Sequence, residues 1–224
     1  MKSLSFDEYQ QLVAASEVLE QDGHGIKVLK TRDGLIVKLF RRKRVLSSAV
    51  FKPYAARFVD NAHTLESLGI KTVSIEAVYR CALINRTLIV YRPVPGQTLR
   101  NALRIAADPG KFMAQFAAFF AELHEKGVLF RSIHLNNIIV PEAEGTFGLI
   151  DIADMKIFKR GLSLAQRMRN LRHLMRYQED RKSINAFGIE KFADIYCGNC
   201  KEAGLHKNDF LVKMQGMIDT DDSL

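Results

Sequence analysis

The chemically suggestive residues of this chain gather in the run Arg131-Ser132-Ile133-His134-Leu135-Asn136-Asn137 and in Asp151, fourteen positions beyond Asn137. Asn137 offers an amide oxygen and Asp151 a carboxylate, the hard donors that Mg²⁺ prefers. Each adjoins a short apolar run, Ile138-Ile139-Val140 or Leu149-Ile150, able to hold it on a rigid element. The same two residues also suit a turn asparagine and a capping aspartate. His134 can exchange a proton near neutrality, or serve structurally. Lys38 sits between Val37 and Leu39, and Gly23-His24-Gly25 suits either an ordinary hairpin or close backbone approach to a phosphate. Cys197 and Cys200 form a CxxC, but no second CxxC or paired histidines follow, only His206. They read as two small residues on an amphipathic helix, not as a metal or redox site.

These groups need elements to position them. Ser5 followed by Glu8 predicts a capping box opening a helix to about residue 15. Strands are expected over 18–21, 26–30 and 35–40, with a turn at Arg32-Asp33-Gly34. A helix over 54–68 should stop at Gly69, and strands over 73–81 and 87–91 should join at Asn85-Arg86. Then the pattern changes. Residues 112–126 are apolar at helical spacing and end at Gly127. Short strands over 137–140 and 147–150 bracket an Ala143-Glu144-Gly145 turn, and helices are expected over 164–177, 184–197 and 209–217. A β-rich half followed by a helical half implies an α+β fold in two lobes, 1–93 and 94–224, parted where Pro93 and Pro95 interrupt both helix and ladder.

The bulk properties agree with such a chain. Its 224 residues, 47% apolar, suffice for one large domain or two modest lobes with a sizeable core. No apolar run approaches the ~18 residues of a membrane span, and the polar start does not resemble a signal peptide, so a cytoplasmic location is expected. Three cysteines do not suggest a disulfide scaffold. The net charge of +8 is concentrated in Arg41-Arg42-Lys43-Arg44 and in Arg167, Arg169, Arg172, Arg176 and Arg181. Such clusters suit an anionic partner or a solvated basic face. Nucleic acid is the less expected partner, because no aromatic-interleaved platform accompanies the charge.

The order of elements, with the stretches GLIVKLF, LESLGI, IVYRPVPGQTL, LHEKGVLFRSIHLNNIIV and GLIDIADMKI, resembles a protein kinase. More narrowly, it is similar to the bacterial kinases that phosphorylate heptose or Kdo sugars of the lipopolysaccharide core, related chains of which are called toluene-tolerance proteins. The resemblance spans roughly residues 15 to 180. It implies a two-lobed kinase-like fold with a five-stranded antiparallel sheet and one main helix in the first lobe, and a mainly helical second lobe. It also implies ATP and Mg²⁺ as cofactors. Lys38 matches the lysine that contacts the nucleotide phosphates, with Asp60, or less well Glu66, as its acidic partner. Gly23 and Gly25 take the place of the phosphate-covering loop, and Tyr91 to Pro95, including Val94, that of the adenine-binding hinge. Asn137 and Asp151 match the metal-holding residues, with Asp154 as an auxiliary position, and His134 matches a histidine near the transferred phosphate. The implied reaction moves the γ-phosphate of ATP to a sugar hydroxyl. The implied acceptor is an anionic glycolipid met at the inner membrane, which the basic helix around 167–176 is placed to touch.

The departure from that pattern is at the general base. Ser132 stands where the family has aspartate, and Phe130 where a histidine precedes it. A hydroxyl does not take a proton as a carboxylate does, and a positioned base is worth about 10²–10⁴-fold. Phosphoryl transfer leans mostly on positioning and electrostatics. The pattern therefore suits either an atypical kinase, with His134 assisting, or a pseudokinase that binds nucleotide for a regulatory role.

Overall fold

Alternation of apolar residues organises the first part of the chain, and helical spacing the rest. A computed structural model describes residues 1–41, 53–142, 145–201 and 207–219. It is a mixed α+β structure with mainly antiparallel sheets and eight α-helices among the described residues. The chain forms two compact units, Met1–Ser67 with Thr72–Val94, and Leu68–Lys71 with Pro95–Leu224.

The first unit begins with β1 (Lys2–Ser3) and α1 (Phe6–Ala14). Ser5 caps α1 with the reciprocal bonds expected of Ser-x-x-Glu: Glu8 N donates to Ser5 Oγ at 3.2 Å, and Ser5 N to Glu8 Oε2 at 2.7 Å. Then come β2 (Glu17–Asp22), β3 (Gly25–Lys30), β4 (Ile36–Arg41), α2 (Tyr54–Ser67), β6 (Ser74–Cys81) and β7 (Arg86–Arg92); between α2 and β6 the two-residue β5 (Lys71–Thr72) falls at the boundary of the two units in sequence and is not part of this sheet. The sheet order is β1-β6-β7-β4-β3-β2. It has six strands, not five, because β1 adds to the edge in parallel with β6. Two residues carry no period-2 signal, so sequence reading had no means of finding that strand. The expected antiparallel strands account for the other five.

Period 2 gives β4 two different faces. Val37 and Leu39 are buried with Leu29, Cys81 and Leu88, and Tyr9, Leu12 and Val13 of α1 pack on that cluster. Lys38 and Phe40 take the opposite face. There Phe58 of α2, buried with Ala55, Ala62 and Leu65 at helical spacing, lies 5.6 Å from the Phe40 ring and 5.4 Å from that of Tyr91.

The second unit contains β8 (Gln97–Thr98), α3 (Leu99–Ile105), α4 (Pro109–Glu125), β9 (Val128–Phe130), a 3-10 turn (Leu135–Asn137), β10 (Ile138–Val140), β11 (Gly148–Leu149) and β12 (Met155–Ile157). Its remaining helices are α5 (Leu164–Leu174), α6 (Gln178–Phe187), α7 (Ile189–Gly198) and α8 (Lys207–Asp219). α4 is the central helix, with Phe116, Phe120 and Leu123 buried, and Phe192 and Tyr196 of α7 pack against its aromatic face. The single helix expected over 184–197 is two helices. Gly188 breaks it with φ +100°, a conformation that favours glycine. Gly96 is needed for space, since a Cβ there would fall 2.1 Å from the Val140 carbonyl oxygen. That approach lets β8 pair with β10, Ile139 opposite Thr98.

Candidate functional site

In the first unit, Lys38 is half-buried. Its Nζ lies 5.8 Å from the Phe58 ring centroid and 5.9 Å from that of Phe40. Such distances suit a cation over aromatic faces, so Lys38 is not the freely solvated residue that strand alternation alone allows. Asp60 is exposed on α2 and lines a cavity with Phe40, Arg41, Tyr54, Val78 and Thr87, and Glu66 is exposed near the end of the same helix. The Gly23-His24-Gly25 turn joins β2 to β3, and His24 N donates to Asp22 Oδ1 at 2.8 Å. From the start of β7, the nearly buried Arg86 donates to the His24 carbonyl at 2.5 Å and to that of Ile26 at 3.5 Å. This tether escaped sequence reading, in which Arg86 is merely part of the Asn85-Arg86 turn. Tyr91 is in β7, half-buried beside Phe58, and Val94 ends the first unit.

In the second unit, the antiparallel hairpin of β10 and β11 sets Ile138 opposite Leu149. Continuing that register, Ile150 N donates to the Asn137 carbonyl at 3.1 Å, so Asn137 and the residue just before Asp151 are bonded neighbours. Asn137 is buried, and its Nδ2 donates to the Ser132 carbonyl at 2.8 Å. The amide orientation is thereby set, with Oδ1 the end left for a further partner. Asp151 is exposed and has φ +52°. Aspartate tolerates this left-handed region better than most residues. As a donor set, one fixed amide oxygen and one exposed carboxylate fit Mg²⁺, which usually takes one or two protein oxygens together with phosphates and water.

The loop before Asn137 is fastened at several points. Asn137 N donates to the His134 carbonyl at 2.8 Å. Leu135 N donates to Oδ2 of the fully buried Asp180 at 2.9 Å. Arg100 holds the other carboxylate oxygen, through Nε at 3.1 Å and Nη2 at 2.7 Å, and its Nη1 reaches Glu179 at 2.8 Å. Arg131 pairs with Asp154, and Arg131 N donates to the Asp154 carbonyl at 3.0 Å, so Asp154 secures the loop. Asn170 brackets Phe130: Nδ2 donates to the Phe130 carbonyl at 2.6 Å, while Oδ1 accepts from Phe130 N at 3.0 Å.

Behind Asn170 lies a buried polar chain. Its Oδ1 is 3.1 Å from His124 Nε2, and His124 Nδ1 is 2.5 Å from the Tyr196 hydroxyl. Arg167 donates to Tyr196 Oη at 3.1 Å, to the Leu162 carbonyl at 2.8 Å and to Glu125 at 2.6 Å. Burial, with Arg167 nearby, depresses the His124 imidazole to about 3, and burial drives the Tyr196 hydroxyl far above its usual range. Arg167 is 1% exposed, which removes it from the expected basic face. Its spacing within a run of arginines concealed an internal role. Arg169 and Arg172 remain exposed on α5 and Arg176 just beyond its end, while Arg42, Lys43 and Arg44 lie outside the described residues.

His134 is half-buried. Its Nδ1 has no hydrogen-bond partner among the described residues, and its ring meets that of Tyr177 edge-on at 4.9 Å. Burial lowers its basicity and Arg100 adds to this, while Asp180 and Asp151 oppose the change. The ring is therefore neutral at pH 7, able to accept a proton but less basic than a solvated imidazole. Ser132 is half-buried, and its carbonyl, not its hydroxyl, holds Asn137. Cys197, in α7, and Cys200, just beyond it, are free thiols. Burial raises both, Cys197 to about 11, the opposite of what a reactive or metal-binding thiolate needs. His206, Ala143 and Glu144 lie outside the described residues.

No protein-family profile matches the chain, and no curated protein matches it in sequence. Its fold does match solved structures, and the class they define is the mixed α+β architecture described above. One of them, WaaP in complex with acyl carrier protein, aligns with 96% of this chain and 90% of its own, with TM-score 0.59 and 14% identity. No helix among the described residues is long and apolar enough to cross a membrane.

Proposed function

We propose that this chain is an atypical kinase that transfers the γ-phosphate of ATP to a sugar hydroxyl, with an anionic glycolipid of the lipopolysaccharide-core type as the acceptor class. The observation that carries this reading is the Ile150–Asn137 hydrogen bond. It makes Asn137, whose side-chain amide is held by Ser132, the bonded neighbour of the residue that precedes the exposed Asp151 at the end of one hairpin. The likeness to WaaP over nearly the whole chain supports a two-lobed kinase-like architecture, with the two compact units as its lobes. Asn137 and Asp151 hold Mg²⁺, which neutralises charge on the phosphates when bound. Lys38 and the Gly23–Gly25 turn serve the nucleotide phosphates, and Tyr91 and Val94 the adenine. His134, neutral at pH 7, takes the acceptor's proton in place of the missing aspartate.

A single comparison tests this. The native chain should gain thermal stability with Mg²⁺-ATP and transfer labelled phosphate to core oligosaccharide, by ligand linkage in the first case and turnover in the second. Asp151→Asn tolerates the same backbone conformation and should lose the magnesium-dependent part of both responses. Equal responses in the variant would end the metal assignment.

Ser132 favours a second reading, in which the chain binds nucleotide as a pseudokinase with a regulatory or scaffold role. A nucleotide-dependent thermal shift without phosphate transfer, unaltered by Ser132→Asp, would select it.

A further inference from the structure

The second unit has a cleft on the flank of the 132–137 loop that none of the roles above uses. It encloses about 550 Å³, within the ~300–1,000 Å³ range of small-molecule sites. Thr98, Asn101 and Arg104 line one side, Glu179 and Ser183 the other, and Asn136 faces it from the loop. Leu103 is its one apolar lining residue, so the surface suits hydroxyl groups and not a hydrocarbon.

The donors of this cleft are arranged in advance. Asn101 Nδ2 donates to Gln97 Oε1 at 2.5 Å, and Asn101 Oδ1 accepts from Arg104 Nη2 at 2.8 Å, which orients the guanidinium. Arg100 is neutralised by Asp180 and Glu179. Arg104 differs: no carboxylate among the described residues pairs with it, and it is exposed. Asn136 lies between Leu135, pinned by Asp180, and Asn137, pinned by Ser132, so its uncommitted amide is presented from a fixed backbone. A cleft of hydroxyl and amide groups with one uncompensated guanidinium recognises a polyhydroxylated molecule bearing a negative charge.

We propose that this cleft is the acceptor subsite, with Arg104 reading an anionic group on a sugar and Asn136 and Asn101 reading its hydroxyls. The acceptor role rests on the phosphoryl-transfer reading; the binding itself does not. The test is therefore made without nucleotide. The full ¹⁵N-labelled chain is titrated with glucuronate, glucose 6-phosphate, glucose and inorganic phosphate, following the amides of Asn101, Arg104, Asn136 and Ser183. Glucuronate and glucose 6-phosphate should shift these amides at concentrations at least tenfold below those needed for glucose or phosphate. Arg104→Glu, at an exposed position, should erase that preference, and Asn136→Ala should weaken all three sugars.

Two results would overturn the inference: phosphate alone matching glucose 6-phosphate, or anionic sugars binding Arg104→Glu as they bind the native chain. Shifts that map elsewhere would do the same. Measuring the Mg²⁺-ATP thermal shift of the native chain beside this titration separates the two proposals. Sugar-acid binding in a native chain that does not respond to Mg²⁺-ATP supports the cleft and refutes only the kinase reading.

Discussion

Leu135 and Asp180 are 45 residues apart and joined by one hydrogen bond, from the Leu135 main-chain nitrogen to a carboxylate oxygen with no solvent exposure. A buried carboxylate is tolerated only when its lone pairs are filled, and here Arg100 fills those that Leu135 leaves. Asp180 thus fixes the height of the loop from below, through backbone.

Replacing Asp180 with alanine leaves the Leu135 N–H without its acceptor and Arg100 with Glu179 as its remaining partner. A buried donor left unsatisfied costs about 1–3 kcal/mol. Chemical denaturation should show a drop of that order, and Asp180→Asn should recover part of it by keeping one acceptor. A variant as stable as the native chain would show that the loop does not depend on this anchor.

Gly96→Ala should be among the most damaging small changes. The added carbon would meet the Val140 carbonyl, and φ at this position is +133°. Strained backbone of this sort costs about 1–3 kcal/mol before the clash is counted. The expected result is a lowered melting temperature with separation of β8 from β10, visible as faster amide exchange at Val140.

Acid should destabilise the fold through His124. Its folded pKa, depressed to about 3, lies below the unfolded value near ~6.5, so the unfolded chain binds the proton first. Stability is full above the unfolded value and falls as pH drops toward the folded one. This single group accounts for a loss of about 2 kcal/mol between pH 7 and pH 5. Burial lowers His134 and His173 as well, which steepens the same window. Urea midpoints at the two pH values should lie closer together in His124→Gln, and an unchanged gap would refute the assignment.

His134→Ala should lower phosphate transfer by about 10²-fold or more while leaving the Mg²⁺-ATP thermal shift in place, as expected for a proton acceptor. A loss of nucleotide response in that variant would instead mark His134 as a support of the metal-binding end of the hairpin.

Sequence reading went furthest where periodicity was long. The alternation around Lys38 and the 3.6-residue spacing from Phe112 to Leu123 correspond directly to β4 and α4. It missed β9 and β12, each three residues long, because such short strands hold too little alternation to register. The hairpin ends at Asn137 and Asp151 were visible as polar residues flanking apolar runs, whereas their anchors were not. Asp180 lies in the polar run Gln178-Glu179-Asp180-Arg181-Lys182, which reads as a solvated helix, and Arg167 lies among other arginines. Both are buried by contacts with residues 29 to 80 positions away, and no local pattern encodes a partner at that range.

The Asn170 bracket has a kinetic corollary. Both main-chain polar groups of Phe130 close onto one side chain that is itself held by His124, which Tyr196 holds in turn. A fluctuation confined to β9 does not free that amide, since Asn170 must rotate away as well. In deuterium oxide the Phe130 proton should therefore persist until the second unit opens as a whole, which makes it a natural reporter for cooperative unfolding of that half of the molecule.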